Sequence, residues 1–268
     1  MKTDPILDLV DMDIEDWKYY GLLGQRLSEI RKSVTLPPMY VISSSVFKDL
    51  LEDDRIPDGR HIPWNVELQI AKRFEDFESP TARLLSSASY EYSLPPFITA
   101  GSKSDLIIGI DSIYRKFYEE EEARTRERMG VPQFDLSIVV QKLFDPKTSG
   151  RMTQTEKETK IIAVHGLPVD LEDADTYIVN EEGELTYHAE SEQKKKWVLG
   201  DEGIQPEDIK ESSWDDPKMT DKQVSRLAKM GKAILELCGE EMAIEWYLVR
   251  NTFYVASLYP TKIVVVER

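Results

Sequence analysis

Binding a phosphate-bearing ligand calls for cations, hydroxyls and exposed backbone N–H groups, and three stretches of this 268-residue chain offer them. Gly101-Ser102-Lys103-Ser104 precedes a segment in which Ile110, Ile113, Tyr114 and Phe117 recur at helical spacing. Glycine, hydroxyls and a lysine at a helix start can hold phosphate through backbone N–H groups and the helix dipole. The plainer reading of the same residues is an ordinary N-cap at Ser104. The second stretch is Ser137 to Gly150, SIVVQKLFDPKTSG. Its β-branched run Ile138, Val139 and Val140 suits a strand covered on both faces. Gln141 and Lys142 put polar side chains at the far end, before a Pro-containing turn and a Thr-Ser-Gly tip. The third is a strand at Ala82 to Leu85 that empties into Ser86-Ser87.

The elements that must position these groups follow from periodicity. Glu15 to Lys32 reads as a helix with Leu22, Leu23, Leu27 and Ile30 on its apolar stripe, and Pro37-Pro38 precedes a strand at Met39 to Ser43. Ser44-Ser45 can cap a helix from near Val46, and another is expected around Val66 to Phe77. Glu119 to Glu122 with Arg124, Arg126 and Arg128 reads as the solvated end of the helix after Ser104, laced by charge pairs. A strand at Lys160 to Leu167 and a hairpin at Thr176 to His188, turning at Glu181 to Glu184, come next. The acid-rich stretch Leu199 to Met219 reads as an exposed connector. Thr220 to Gly239 is the clearest helix: Thr220 and Gln223 form a capping-box pattern, and Gly239 is the expected C-terminal cap. Cys238 falls on its apolar face and reads as packing rather than as a nucleophile. Ile244 to Val249 and Thr252 to Leu258 form a hairpin around Arg250-Asn251, and Lys262 to Val266 reads as a last strand.

Composition narrows the function classes. With 50 acidic against 34 basic residues the formal net charge is -16, which disfavours non-specific binding to nucleic acid or to an anionic membrane. One cysteine precludes an internal disulfide and a cysteine-based zinc cluster. The first residues, MKTDPILDLVDMD, have neither the apolar core of a signal peptide nor the character of a transit peptide, so a cytoplasmic location is expected.

The order of these pieces, from about Gly21 to Pro260, resembles the nucleotide-binding domain of the phosphoenolpyruvate synthase and pyruvate phosphate dikinase family. Leu36-Pro37-Pro38-Met39-Tyr40-Val41-Ile42 is similar to its "PPGF" strand, and Ser86-Ser87-Ala88-Ser89 with Glu91 to its "RSSATxED" stretch. Val140-Gln141-Lys142-Leu143 with Ser149-Gly150 resembles "VQKM…SG", and Ile162 to Leu167 the "GLGE" strand and turn. Asp175-Thr176-Tyr177 is similar to "PDTY", Ile244-Glu245-Trp246 to "DIEW", and Tyr254 to Pro260 to "YILQARP". The resemblance implies an α+β, ATP-grasp-like fold of two lobes with a nucleotide crevice between them, one domain over 1–268 with the first lobe at about 1–105 and the second at about 106–268. It implies ATP and Mg as ligands. Arg83, Ser86, Lys103, Gln141, Lys142 and Leu143 would be the nucleotide-binding positions, with adenine near Gln141 to Leu143; Glu245 and Ser257 would be the metal positions. His165 lies next to the implied crevice. No catalytic residue is assigned.

The chain departs from the family pattern where the charges sit. The lysine of the family's "GGK" segment falls on Leu23, the arginine of "RSS" on Leu85, the glutamine of "QARP" on Ser257 and its arginine on Tyr259. Arg83, two residues upstream of Leu85, shares its face on a strand. Phosphoryl transfer rests on positioning and on cations, so two lost charge-assisted contacts, at ~1.5–3 kcal/mol each, bear directly on rate and affinity. Two readings follow. The chain is a stand-alone ATP-binding part of a split phosphotransferase, served by a partner carrying a phosphohistidine or pyruvate-binding domain; or it is a catalytically degenerate scaffold or regulatory subunit.

Overall fold

The computed structural model of the chain describes residues 4–12, 17–46, 62–79, 81–89, 98–128, 130, 135–200 and 203–261. The expected strand at Lys262 to Val266, the acid Glu91 and most of the helix expected from Val46 lie outside them. The chain divides into two compact units: Met1–Ser28 with Pro38–Leu143, and Glu29–Pro37 with Phe144–Arg268.

The first unit is built on a five-stranded sheet of β1 (Ile6–Asp8), β2 (Met39–Ile42), β3 (Ala82–Ala88), β4 (Ile98–Ala100) and β5 (Leu136–Lys142). Its order is β1-β2-β5-β3-β4, and every neighbouring pair runs antiparallel. The β-branched centre of β5 is buried on both faces as its sequence requires: Ile138, Val139 and Val140 are fully buried. One face carries Ala82, Leu84, Ile138 and Val140 into a core with Ile70 and Phe74 of α2 (Trp64–Glu75) and Leu106, Ile110 and Phe117 of α3 (Lys103–Tyr118). The N-cap of α3 is Ser102, whose side chain accepts the Asp105 N–H, and not Ser104. The Glu119 backbone then turns extended, so the charged run Glu120–Arg128 is a separate short helix, α4, and not the tail of α3. Its Glu120–Arg124 pair is the lacing expected of that run.

Helix α1 (Trp17–Ile30) is kinked at Gly21, whose φ of 71° and ψ of 169° are non-helical. A Cβ there would meet the Ser87 carbonyl oxygen at 2.1 Å, so only glycine fits. The kink is tied down by Ser87, whose Oγ donates to the Tyr20 carbonyl at 2.7 Å and accepts from the Gly24 N–H at 3.0 Å.

The second unit is built on a six-stranded antiparallel sheet ordered β13-β12-β6-β7-β8-β9. Its strands are β6 (Thr148–Gln154), β7 (Glu158–His165), β8 (Asp175–Asn180), β9 (Leu185–Ala189), β12 (Met242–Val249) and β13 (Thr252–Pro260). Thr148-Ser149-Gly150, expected at a loop tip, opens β6 and is buried. A Cβ on Gly150 would lie 1.8 Å from the Ile162 carbonyl oxygen, which is why a poor strand former occupies the sheet interior. Helix α5 (Asp221–Cys238) has the expected capping box, with Thr220 and Gln223 bonded reciprocally, and Gly239 left-handed at its end. Its Val224, Leu227, Ala228, Gly231 and Ile234 pack on the sheet, Gly231 against the Met152 and Gln154 side chains.

The stretch from Leu199 to Met219 is not a plain connector. β10 (Lys195–Gly200) and β11 (Gly203–Asp208) form a hairpin, and Lys218 and Met219 are each only 3% exposed. Lys218 reaches Asp175 at 3.0 Å, with the two side chains 1% and 0% exposed. Asp175 also accepts from the Tyr177 hydroxyl at 2.9 Å, the Ser191 N–H at 3.0 Å and the Lys218 N–H at 3.1 Å. The buried pair thus has the further hydrogen bonds that a desolvated charge demands. No helix among the described residues is long and apolar enough to cross a membrane.

Candidate nucleotide-binding residues

The nucleotide-binding positions expected from the sequence all lie in the first unit, and the sheet register sorts them. Arg83 on β3 pairs directly with Gln141 on β5, which in turn pairs with Met39 on β2. Directly paired residues share a face, so Arg83, Leu85 and Gln141 stand together on the side away from α2 and α3. Arg83 is 4% exposed and Gln141 fully buried. A guanidinium and a carboxamide are thus presented side by side, one able to pair with an anion and the other to both donate and accept. Ser86 belongs to the opposite face, in register with Ile138, and Lys142 pairs with Ala82 at the end of that face. Ser87, not Ser86, shares the Arg83 side, where it anchors the α1 kink.

Gln141, Lys142 and Leu143 form the end of the first unit. The Lys142 N–H donates to the Pro38 carbonyl at 2.9 Å and the Leu143 N–H to Thr81 at 3.3 Å. Those N–H groups close the sheet end, so a base resting near them would be read by other groups of the segment. Lys103 stands apart: it is exposed and ion-paired with Glu75 of α2. The N-terminus of α3 is capped by its own Ser102 and carries the Asp105 carboxylate, which repels rather than attracts a phosphate. Lys103 also borders a groove of about 390 Å³ between α2 and α3, walled by Trp64, Leu68 and Ile108, which are 69%, 51% and 63% exposed. Of the expected positions, only Lys103 lies there.

The metal positions lie together in the second unit. Glu245 on β12 pairs directly with Ser257 on β13, and a bulge follows between Glu245 and Trp246. Ser257 Oγ donates to Glu245 Oε2 at 3.3 Å, and the Tyr247 hydroxyl donates to Oε1, also at 3.3 Å. Glu245 and Ser257 are 8% and 7% exposed. On the other side of β12 the exposed Arg151 of β6 is in register with Glu245. Since Met152, the next residue of β6, meets α5, the row of Arg151, Glu245 and Ser257 lies on the sheet face away from that helix.

Among the described residues no group of three or more His, Cys, Asp and Glu is placed to hold a metal ion unaided. One carboxylate and one hydroxyl fit magnesium in the form it takes with a nucleotide, where one or two carboxylates suffice and phosphate and water complete the shell. His165 is half-buried at the end of β7, its Nε2 3.3 Å from the Asp216 carbonyl. Burial holds its pKa below the ordinary imidazole value; the Asp216 carbonyl opposes the shift and the Lys218 charge adds to it. The imidazole is a packed group of this corner, its backbone clasped by Gln193 through the N–H at 2.8 Å and the carbonyl at 3.1 Å.

Two site neighbours escaped the sequence. Tyr247 is two residues from Glu245, a strand spacing that could have flagged it; Arg151 comes to Glu245 only through the β6–β12 register.

The model of the family described as pyruvate phosphate dikinase, AMP/ATP-binding domain, matches residues 79–264, more than half of the chain. The rifampicin phosphotransferase of Bacillus subtilis (strain 168) is 24% identical over 220 residues, which cover 74% of this chain and 25% of the relative. The probable phosphoenolpyruvate synthase of Methanocaldococcus jannaschii is 24% identical over 200 residues, 68% of this chain and 16% of the relative. The chain therefore spans a quarter or less of these two relatives. Among solved structures, the N5-carboxyaminoimidazole synthase of Aspergillus clavatus is similar at a TM-score of 0.43 and 9% identity, over 91% of this chain and 44% of that one. The D-alanine-D-alanine ligase of Coxiella burnetii gives 0.41 and 6% identity, over 92% and 49%. Arg83, Gln141, Glu245 and Ser257 all fall inside the matched residues.

Proposed function

The chain belongs to the pyruvate phosphate dikinase AMP/ATP-binding domain family, and from that premise we propose that it binds ATP as its magnesium complex and serves phosphoryl transfer to an acceptor carried by a separate domain or protein. The α+β, ATP-grasp-like class goes with that membership. The observation that carries the reading is the buried Glu245 carboxylate, oriented by a hydroxyl on each oxygen within the family-matched region. Magnesium would supply neutralisation of the triphosphate charge. Within the second unit Glu245 and Ser257 would be the candidates to hold it; within the first unit, taken by itself, Arg83 is the candidate for phosphate oxygens and Gln141 for the base or ribose. Arg83 supports this role because it stands on the same face as Leu85, where the family's arginine falls, one strand repeat away. The acceptor would be the free histidine of a partner's phosphohistidine domain, or a pyruvate-binding partner, as befits the family, with the protein acting in the cytoplasm.

A second reading, a scaffold that keeps the fold without transfer, is favoured by Lys103: its ion pair with Glu75 commits the one lysine of the Gly-Ser-Lys-Ser run to the helix layer. Calorimetric titration with Mg·ATP distinguishes the two. Saturable binding that Arg83→Leu and Glu245→Ala each weaken supports the nucleotide reading. Heat-silent titration up to millimolar Mg·ATP, with the chain folded, sinks it in favour of the scaffold.

A further inference from the structure

We propose that the outer edge of β9 is a docking site for an extended strand of another protein, one with an uncharged centre and a lysine or arginine at each end. The sheet of the second unit ends in β13 on one side and β9 on the other, and the two edges differ. On β13 the Val255 N–H donates to the Thr35 carbonyl at 3.0 Å, and the strand closes on Pro260, which has no N–H to offer. Among the described residues β9 pairs with β8 alone, and Leu185 to His188 are exposed. Past Ala189 the chain returns to the start of β8, where the Ser191 N–H donates to Asp175 at 3.0 Å, instead of running along β9. The backbone donors and acceptors of that edge are a template for strand addition.

The residues of β9 and its flanks decide what lies there. Leu185-Thr186-Tyr187-His188-Ala189 has no carboxylate, lysine or arginine and suits a strand. His188 stacks on Tyr177 at 4.3 Å, so Tyr187 stands on the opposite face, and a docked strand would meet the two in alternation. Exposed acids frame the strand: Glu181, Glu182 and Glu184 before it, Glu190 and Glu192 after it. Lys232, the cation bonded at that turn, donates to the Glu181 carbonyl. The frame turns away a second copy of the chain. Antiparallel pairing of the whole of β9 with itself sets Tyr187 on the two-fold axis and Glu184 opposite Glu190, and like charges directly opposed are destabilising. The net charge of -16 adds to the repulsion. A strand with basic ends meets the same acids favourably, so one set of residues both attracts the partner and excludes the copy.

The full chain would be titrated against the labelled peptide KKTVTVTKK, with EETVTVTEE and KKTVPVTKK as comparisons, by fluorescence anisotropy, and amide hydrogen exchange followed over residues 185–189. The variants are Glu184→Gln with Glu190→Gln, which keeps an oxygen for the Asn180 amide, and Glu184→Lys with Glu190→Lys. The expected result is saturable binding of KKTVTVTKK with slowed exchange in β9, at least tenfold weaker for the other two peptides. Binding should weaken in the glutamine pair, weaken further in the lysine pair, and fall as salt rises. KKTVPVTKK binding as well as KKTVTVTKK, with β9 exchange unchanged, overturns the proposal, since that is charge attraction without strand pairing. No binding of KKTVTVTKK, or equal binding to the lysine pair, overturns it too. Wild type sedimenting as a dimer, with β9 exchange slowing as protein concentration rises, overturns it in favour of a second copy. None of these outcomes bears on Mg·ATP binding, which is measured separately.

Discussion

Lys218→Met should be among the most destabilising single changes in the second unit, by about 3 kcal/mol or more. The ammonium and the Asp175 carboxylate lie 3.0 Å apart with side chains 1% and 0% exposed. Lys218 Nζ also donates to the Ser191 carbonyl. Removing one partner of a buried pair costs about 3–5 kcal/mol because the remaining charge stays desolvated. Here Asp175 keeps the Tyr177 hydroxyl and two backbone N–H groups, so the lower part of that range is expected. At about 2–4 °C per kcal/mol for domains of somewhat smaller size, the midpoint should fall by roughly 6–12 °C. Asp175→Asn should cost a similar amount, by leaving the ammonium unpaired. The combined change Asp175→Leu with Lys218→Met should not recover wild-type stability: the Tyr177 hydroxyl and the N–H groups of residues 191 and 218 would lose their acceptor, and an unsatisfied buried donor costs about 1–3 kcal/mol. Urea unfolding followed by tryptophan fluorescence gives the three values. Single changes costing under about 1 kcal/mol, or full recovery in the double variant, would refute the reasoning.

Gly21→Ala should destabilise the first unit by about 2 kcal/mol or more, because φ is 71° and the new methyl would sit 2.1 Å from the Ser87 carbonyl oxygen; thermal melts against Gly24→Ala, whose Cβ meets only ordinary contacts at 3.6 Å and beyond, provide the control. Thr220→Ala should cost about 1 kcal/mol by opening the capping box of α5, read as a lower urea midpoint at unchanged slope. His165 has a folded pKa depressed below its ordinary 6.5, so below that pH the unfolded chain takes up a proton that the folded chain resists. Its contribution is complete above 6.5 and is lost as pH falls through 6.5 toward the folded value; urea midpoints from pH 7.5 to 5 should therefore drop more steeply for wild type than for His165→Gln.

Much of the fold was legible where local chemistry and tertiary demand agree. Thr220 and Gln223 announce the start of α5 and Gly239 its end; Arg250-Asn251 marks the β12–β13 turn, and both residues take the positive φ such a tight turn needs. The misses fall where long-range packing overrides propensity. Thr148-Ser149-Gly150 has little strand preference, yet close approach of the Ile162 backbone makes glycine the residue that fits mid-sheet. Lys218, in an acid-rich stretch, reads as solvated; only its distant partner Asp175 explains its burial. The candidate site divides the same way. Two-residue periodicity linked Arg83 to Leu85, and the register confirms their common face. The placing of Arg83 beside Gln141, and of Arg151 beside Glu245, is a matter of strand order, which no local signal encodes. At α3, Ser102 takes the cap in place of Ser104, two residues on, because the chain enters the helix earlier than its apolar stripe suggests.

The central claim, that this chain is a working nucleotide binder, is met most directly by thermal unfolding of the full chain with and without millimolar Mg·ATP, with Glu245→Ala alongside. Ligand at about 100 times its dissociation constant adds ~2.7 kcal/mol, which predicts a rise of several degrees in the wild type and a smaller one in Glu245→Ala. A wild-type midpoint unmoved by Mg·ATP at any attainable concentration would contradict the account.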